Sequence, residues 1–341
     1  MKYFFINLAL GLFFLLPNWF LKIFPRTKAS FIRNNYLDHQ TEIFLNLMNV
    51  FGYKLDTSNF NNIERIRSNN ARMSLNINKK PSKNLSLKKI YLNDDKTIFM
   101  RKYKPDEIKT DKTLLFFHGG GYVLGSVETH HNFVASMSIY FGMKIYSLEY
   151  SLSPENKFPI ALGDAKKAYL RIMQKYDNKK ILLCGDSAGG HLVASLSYDL
   201  CESNIPSPLA QILIYPMVCP SLNYESMELY KENFLLTKSS MQWFWEQLRL
   251  SGDDDNNPRF NLLKQESSKA SETKTLIVTA GFDPLHDEGV AYADLLENNG
   301  NQVWRLHFEE LIHGFVNLTN IRKADASTIK IFETMKVFLM K

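Results

Sequence analysis

One serine stands in a setting suited to nucleophilic attack. Gly185-Asp186-Ser187-Ala188-Gly189-Gly190 follows the apolar run Ile181-Leu182-Leu183-Cys184 and precedes a helical pattern. A serine flanked by small residues between strand and helix predicts a sharp turn. Such a turn strains the serine backbone and lifts Ser187 Oγ clear of the sheet. The following helix brings its N-terminal amides and positive dipole end beneath the nucleophile. A second signal, His118-Gly119-Gly120-Gly121, follows the run Leu114-Leu115-Phe116-Phe117. Attack on an acyl carbon creates an oxyanion, which amide donors screened from water stabilise. Glycines let the backbone approach it with no side chain in the way. The amides of Gly120, Gly121 and Ala188 are assigned as those donors. His118 and Gly119 are expected to hold the loop in shape.

A serine needs a base, and the base needs an orienting carboxylate. Around this kind of serine turn the chain order is nucleophile, acid, histidine. Asp283 follows the run Leu276-Ile277-Val278-Thr279, and His313 follows the last candidate strand. Both fall just past the C-terminal end of a strand, the edge where open α/β sheets place their sites. The competitors read as structural. Asp287 and Glu288 open a helix, where acids complement the dipole. His286 and His307 are assigned to surface or strand positions, and Asp186 to a structural hydrogen-bond acceptor. His130 and His131 are adjacent, which suits no metal clamp, and no H-E-x-x-H occurs. No metal or cofactor site is expected.

These residues need a scaffold. Strands are predicted at 87–92, 97–103, 113–117, 144–148, 180–184, 210–215, 275–279 and 302–307. Helices are predicted at 129–141, 160–176, 188–202, 238–250, 287–299 and 324–339. Residues 36–80 read as helical, with Ile43, Phe44, Leu47, Met48 and Phe51 at helical spacing. Alternating strands and helices predict an α/β fold, a mostly parallel sheet of about eight strands flanked by helices. Residues 216–272 interrupt the alternation. Their aromatics Phe234, Trp243, Phe244 and Trp245 either roof a pocket for an apolar acyl or aryl group or form local core.

Composition excludes other classes. Of the 341 residues, 45% are hydrophobic and 22% charged, which excludes a disordered chain. Three cysteines without a CxxC exclude a disulfide framework and a thiolate zinc site. The net charge of +6 is uneven. Residues 1–113 carry 20 Lys+Arg against 9 Asp+Glu, and the remainder 21 against 26. A basic front on an acidic body is not the mark of a nucleic-acid binder, and no nucleic-acid partner is expected.

The front opens with an apolar stretch, residues 3–24, broken by Pro17. Its 22 residues are long enough to span a bilayer. A membrane anchor or an interfacial helix is the favoured reading, with Trp19 and Lys22 at the interface. A signal peptide, implying export, is the second, although no A-x-A-like site follows. A helix covering the protein's own core, implying a soluble cytoplasmic protein, is the third. Residues 1–33 hold five basic residues and no acid, which suits an anionic membrane surface.

Together these motifs resemble the hormone-sensitive-lipase family of α/β-hydrolase carboxylesterases and lipases, over roughly residues 86–340. The resemblance rests on His118-Gly119-Gly120-Gly121-Tyr122 and on Gly185 to Gly190. Tyr150-Ser151-Leu152-Ser153-Pro154-Glu155 with Phe158-Pro159 and Asp164 adds a third motif. Asp283-Pro284-Leu285-His286-Asp287-Glu288-Gly289 and His313-Gly314-Phe315 complete the set. It implies an α/β-hydrolase fold and hydrolysis of a small-molecule carboxylic ester by Ser187, Asp283 and His313, without cofactor or metal. It also implies a cap, here residues 25–85 and about 216–272, leaving residues 1–24 as an anchor or signal-like segment. Ser151 and Ser153 stand where the family often has arginine and alanine. A thioesterase, lysophospholipase or amidase would use the same triad. A small-molecule receptor of this fold would typically lack a triad member.

Overall fold

Short aliphatic and β-branched runs between helical segments assemble into one eight-stranded sheet. The structure, a computed structural model, describes residues 2–51, 63–81, 83–266 and 273–340. The N-terminal part holds α1 (Lys2–Leu15), α2 (Asn18–Leu21), β1 (Phe31–Ile32), β2 (Asn35–Tyr36), α3 (His39–Val50) and α4 (Ile63–Ile77). The sheet begins with β3 (Leu85–Tyr91), β4 (Phe99–Pro105) and β5 (Thr113–Phe117). It continues through α5 (His131–Phe141), β6 (Lys144–Glu149), α6 (Ile160–Met173), β7 (Ile181–Asp186), α7 (Ala188–Glu202) and β8 (Ala210–Ile214). After α8 (Glu225–Leu229) and α9 (Lys238–Leu248) come β9 (Lys274–Phe282), α10 (His286–Asn298), β10 (Val303–Ile312) and α11 (Arg322–Phe338).

The strand order is β10-β9-β8-β7-β5-β6-β4-β3. Only the pairings of β4, with β3 and with β6, are antiparallel. This is an α/β-hydrolase fold, as expected. Alternate residues divide the central strands between two apolar layers. Leu114, Phe116, Leu182, Cys184, Ile212 and Val278 face the layer that includes α5 and α11. Leu115, Phe117, Ile181, Leu183, Leu213 and Ile277 face α6, α7 and α10. Such strands read as continuous apolar runs because both faces are covered. From β5 the chain crosses to β6 on one side, and from β7 to β8 on the other. The ends of β5 and β7 therefore form a switch point, the crevice where such sheets bind ligands.

The expected sheet strands all form, with ends moved by a few residues. One hairpin has no counterpart in the sequence reading. Phe31–Ile32 pairs with Asn35–Tyr36 around Arg33 and Asn34, at φ 50° and 61°. A two-residue hairpin turn of this kind needs positive φ at both turn residues, and an Arg-Asn pair gives little warning of one.

The apolar N-terminus does not form a continuous spanning helix. Pro17 has no N–H to extend the ladder, so α1 ends at Leu15. Its 14 residues rise about 21 Å, short of the ~30 Å hydrocarbon core of a bilayer. Among the described residues no helix is long and apolar enough to cross a membrane. The segment packs inward instead. Leu10, Phe13 and Leu21 are buried, and Phe14 lies against Phe44 of α3 with ring centroids 6.2 Å apart. The Leu16 carbonyl, left over by the helix end, accepts from both terminal nitrogens of Arg322, at 3.0 and 2.7 Å.

Candidate active site

Ser187, Asp283 and His313 arrive from three strand ends, after β7, β9 and β10 respectively. Ser187 adopts φ 56° and ψ −121°, a conformation costing about 1–3 kcal/mol. Surrounding bonds hold it there. Its N–H donates to the Ile214 carbonyl at 2.9 Å, and its carbonyl accepts from the His191 and Met217 amides at 3.1 and 3.2 Å. The flanking glycines allow the tight approach. A Cβ on Gly185 would lie 2.2 Å from the Gly189 oxygen, and one on Gly189 would lie 2.1 Å from the Phe117 oxygen.

The three side chains form one hydrogen-bonded line. Ser187 Oγ–H donates to His313 Nε2 at 2.9 Å, and His313 Nδ1–H donates to Asp283 Oδ2 at 2.8 Å. Asp283 is fully buried, and its Oδ1 accepts from the Leu285 N–H at 2.8 Å. The Tyr215 ring packs against the imidazole with centroids 4.6 Å apart.

The glycine loop is built so that its amides are fixed through their own carbonyls. In a trans peptide the C=O and the following N–H point in opposite directions. His118 Nδ1–H donates to the Gly119 oxygen at 2.9 Å, which turns the Gly120 N–H the other way. The Gly120 oxygen accepts from Val123 N–H at 3.1 Å and Leu124 N–H at 2.8 Å, which likewise orients the Gly121 N–H. Among the described residues, no acceptor takes the N–H of Gly120, Gly121 or Ala188. Gly121 has φ +61°, and a Cβ there would meet the Phe244 ring at 2.2 Å. His118 is stacked on Tyr150 at 4.2 Å. Burial lowers its pKa to about 3, so at neutral pH it is an uncharged strut.

Beneath the loop, Asp186 Oδ1 accepts from Gly119 N–H at 2.9 Å and lies 3.2 Å from His130 Nε2. Burial alone would raise the Asp186 pKa, but His130 and the Gly119 amide outweigh it and hold the carboxyl below its ordinary range. Asp186 thus ties the glycine loop to the serine turn. His130 is the partner that sequence reasoning missed, because its link spans 56 residues. Glu288 stands in the first turn of α10, as expected, and is fully buried there; its Oε1 accepts from Val218 N–H at 2.7 Å. Burial pushes its pKa well up. Asp287 pairs instead with Arg33 at 2.8 Å and accepts from Ser226 N–H at 2.8 Å.

A cavity of about 740 Å³ opens over Ser187 and His313, with Gly119, Gly120 and Gly121 in its wall. Phe44 and Met48 of α3 and Met73 and Ile77 of α4 line it together with Leu235, Met241 and Phe244. Of the four aromatics singled out in the interrupting segment, Phe244 reaches the cavity. Trp245 packs on His191 and Phe260, Phe234 on Tyr230 and Phe282, and Trp243 is buried beside Phe244. Within the two segments expected to form a cap, residues 52–62, 82 and 267–272 lie outside the described residues. Among the described residues no group of three His, Cys, Asp or Glu is arranged to hold a metal ion.

Comparison with known proteins gives consistent matches. A family model described as the alpha/beta hydrolase fold matches residues 114–317. The ethyl acetate hydrolase of Pseudomonas putida is 30% identical over 256 residues, covering 72% of this chain and 80% of that protein. The carboxylic ester hydrolase LipN of Mycobacterium tuberculosis is 34% identical over 238 residues, covering 67% of this chain and 63% of its own length. Among solved structures, a hyperthermophilic esterase from the archaeon Pyrobaculum calidifontis superposes with a TM-score of 0.80 at 28% identity. That match covers 89% of this chain and 99% of the other.

Proposed function

This chain belongs to the hormone-sensitive-lipase-like family of α/β-hydrolases and is a carboxylic ester hydrolase; from that premise we propose that it works through an acyl-enzyme on Ser187 and takes esters of apolar acyl or aryl groups. The observation that carries the reading is the hydrogen-bonded line Asp283–His313–Ser187 at a largely apolar cavity, beside amides that no acceptor takes among the described residues. His313 Nε2 takes the Ser187 proton as Oγ attacks the ester carbonyl. Asp283 holds the imidazole in the Nδ1–H tautomer and stabilises the imidazolium. The amides of Gly120, Gly121 and Ala188 bind the oxyanion. His313 then protonates the departing alcohol, and water hydrolyses the acyl-enzyme by the same route. No step calls for a cofactor or a metal.

The cavity walls support the apolar preference. Met48, Met73 and Met241, with Phe44, Ile77 and Phe244, present a large adaptable surface. Residues 25–85 and 216–272 serve as the cap in this reading, since α3, α4 and α9 supply those walls. A panel of p-nitrophenyl esters from C2 to C16, run with Ser187→Ala, tests the proposal. The variant is expected to lose about 10⁴- to 10⁶-fold in kcat. Wild-type turnover by Ser187→Ala would refute the role given to Ser187. Thioester and anilide substrates in the same panel separate ester hydrolysis from thioesterase and amidase activity.

We also propose that the outer side of α1 and α2 rests on an anionic membrane surface without crossing it. Leu12, Leu15, Trp19 and Ile23 recur every three or four residues and are 60–81% exposed. Lys22 and Lys28 are exposed nearby, and no acidic residue precedes Asp38. Apolar anchors beside lysines suit binding in the headgroup region. Co-sedimentation with phosphatidylserine-containing vesicles is expected for the wild type and not for Leu15→Asp/Trp19→Asp. Equal recovery of both proteins in the supernatant would refute the proposal.

A further inference from the structure

The oxyanion loop is gripped from outside the sheet by one side chain. Arg67, on α4, donates from Nε to the Val123 carbonyl at 2.8 Å and from Nη2 to the Ser153 carbonyl at 2.9 Å. Its two terminal nitrogens also fork onto Glu155, Nη1 to Oε1 at 2.9 Å and Nη2 to Oε2 at 2.8 Å. Both carbonyl contacts lead back to the glycine loop. Val123 N–H is one of the two donors that fix the Gly120 oxygen, and hence the direction of the Gly121 N–H. Ser153 N–H donates to the Tyr122 carbonyl at 2.8 Å. The Tyr122 hydroxyl in turn donates to His191 Nδ1 at 2.7 Å, on the helix that follows the nucleophile.

The pattern calls for arginine in particular. Two carbonyls from different loops and both oxygens of a carboxylate converge on one planar group, and a guanidinium can direct separate N–H bonds to all of them. A lysine ammonium supplies the charge but not that geometry. The helix that carries Arg67 is also a wall of the substrate cavity, through Asn70, Met73, Ser74 and Ile77. One element therefore touches both the acyl-binding space and the loop given the oxyanion-binding role.

We propose that Arg67 is a positioning residue that holds the Gly120–Gly121 peptide in its oxyanion-binding orientation and couples the seating of α4 to that geometry. The inference rests on the hydrolase mechanism given above. Arg67 touches no reacting atom, so its loss acts on transition-state stabilisation and leaves ground-state binding nearly intact. It also separates the roles of its partners. The carbonyl of Val123 is the contact that matters for catalysis, while Glu155 mainly fixes the guanidinium.

The test uses the full-length enzyme, after activity on p-nitrophenyl butyrate and its loss in Ser187→Ala have established the underlying reading. Arg67→Met and Arg67→Lys are expected to lower kcat by about 10- to 100-fold, below the ~10²- to 10³-fold loss from removing an oxyanion donor outright. KM should stay within about twofold of wild type. The affinity of a trifluoromethyl ketone, whose adduct places an oxyanion beside the loop, should fall in proportion to kcat/KM. Glu155→Gln keeps both carbonyl contacts of Arg67 and should hold kcat within about threefold, and it provides the reading if the Arg67 variants fold poorly. Unchanged kcat in Arg67→Lys, or a kcat loss without weaker ketone binding, would overturn the proposal. So would a loss in Glu155→Gln as large as in Arg67→Lys.

Discussion

The serine turn and the N-terminal helices are held by opposite means. Around Ser187 the fold is fixed by directed polar contacts: a strained backbone clasped by Ile214, His191 and Met217, and a glycine loop tied to Asp186 and His118. Around α1 and α2 the hold is chiefly apolar and one-sided, with the Arg322 bonds to the Leu16 carbonyl between the two helices. Leu10, Phe13 and Leu21 are buried while Leu12, Leu15 and Trp19 face outward. Directed contacts fix atoms to the tolerance that bond-making requires. Apolar contacts fix a helix against a surface and leave its other face available for a different medium.

The largest expected effect breaks the polar side of this contrast. Asp283→Asn leaves the shape of the site but favours the wrong imidazole tautomer, and kcat should fall about 10⁴-fold. A loss under tenfold in steady-state kinetics would mean that the carboxylate does not orient His313.

Acid should weaken the catalytic region next. Burial lowers His118 to about 3 and His191 to about 4, against about 6.5 in the unfolded chain. The unfolded chain therefore takes up these protons first as pH falls. Stability is retained above pH ~6.5 and lost below it, by up to ~1.4 kcal/mol per pH unit for each histidine. Urea denaturation at pH 7.5 and pH 5.0 should differ by about 4 kcal/mol from these two groups. Equal stability at both values would contradict their buried, neutral state.

Backbone geometry supplies a third test. Gly121→Ala adds a Cβ 2.2 Å from the Phe244 ring at a φ of +61°, and should lower kcat about 10²- to 10³-fold, as for a displaced oxyanion donor. Phe244→Ala in the same chain removes the clash but not the positive φ, and should restore only part of the rate.

The smallest effects belong to the apolar side, and they sharpen the contrast within one helix. Phe13→Ala opens buried space against the core and should cost about 3 kcal/mol of stability. Leu12→Ala, one position away, should change stability by under ~0.5 kcal/mol, with kcat unchanged in both. Similar costs at the two positions would mean that α1 does not dock as described. Removing residues 2–24 is a blunter test, because it also uncovers the Phe44 side of α3.

The same contrast explains what could be read from the chain alone. The serine turn and the glycine loop declare themselves because their constraints are local: small residues next to a strand allow few other conformations. The sheet was legible for the same reason, its buried strands being short aliphatic runs with turn signals at their ends. Asp283 and His313 needed only chain order and strand ends. His130 and Arg67 escaped notice as contributors because their contacts lie 56 to 88 residues away in the chain. Glu288, legible as a structural acid at a helix start, gave no local sign of its bond to Val218, 70 residues away. The N-terminus stayed open among three readings because apolar composition is the same whether its medium is lipid or core. Pro17 and the Arg322 contact to Leu16 decide where the helix ends, and only Pro17 is visible locally.

The central claim is that Ser187 carries the acyl group. Rapid acid quench during turnover of p-nitrophenyl butyrate, followed by peptide mass spectrometry, tests it directly. A butyryl adduct confined to the peptide bearing Ser187, absent in Ser187→Ala and formed far more slowly in Asp283→Asn, is the expected result. Sustained turnover with no adduct on that peptide, or an adduct on another residue that tracks the rate, would contradict it.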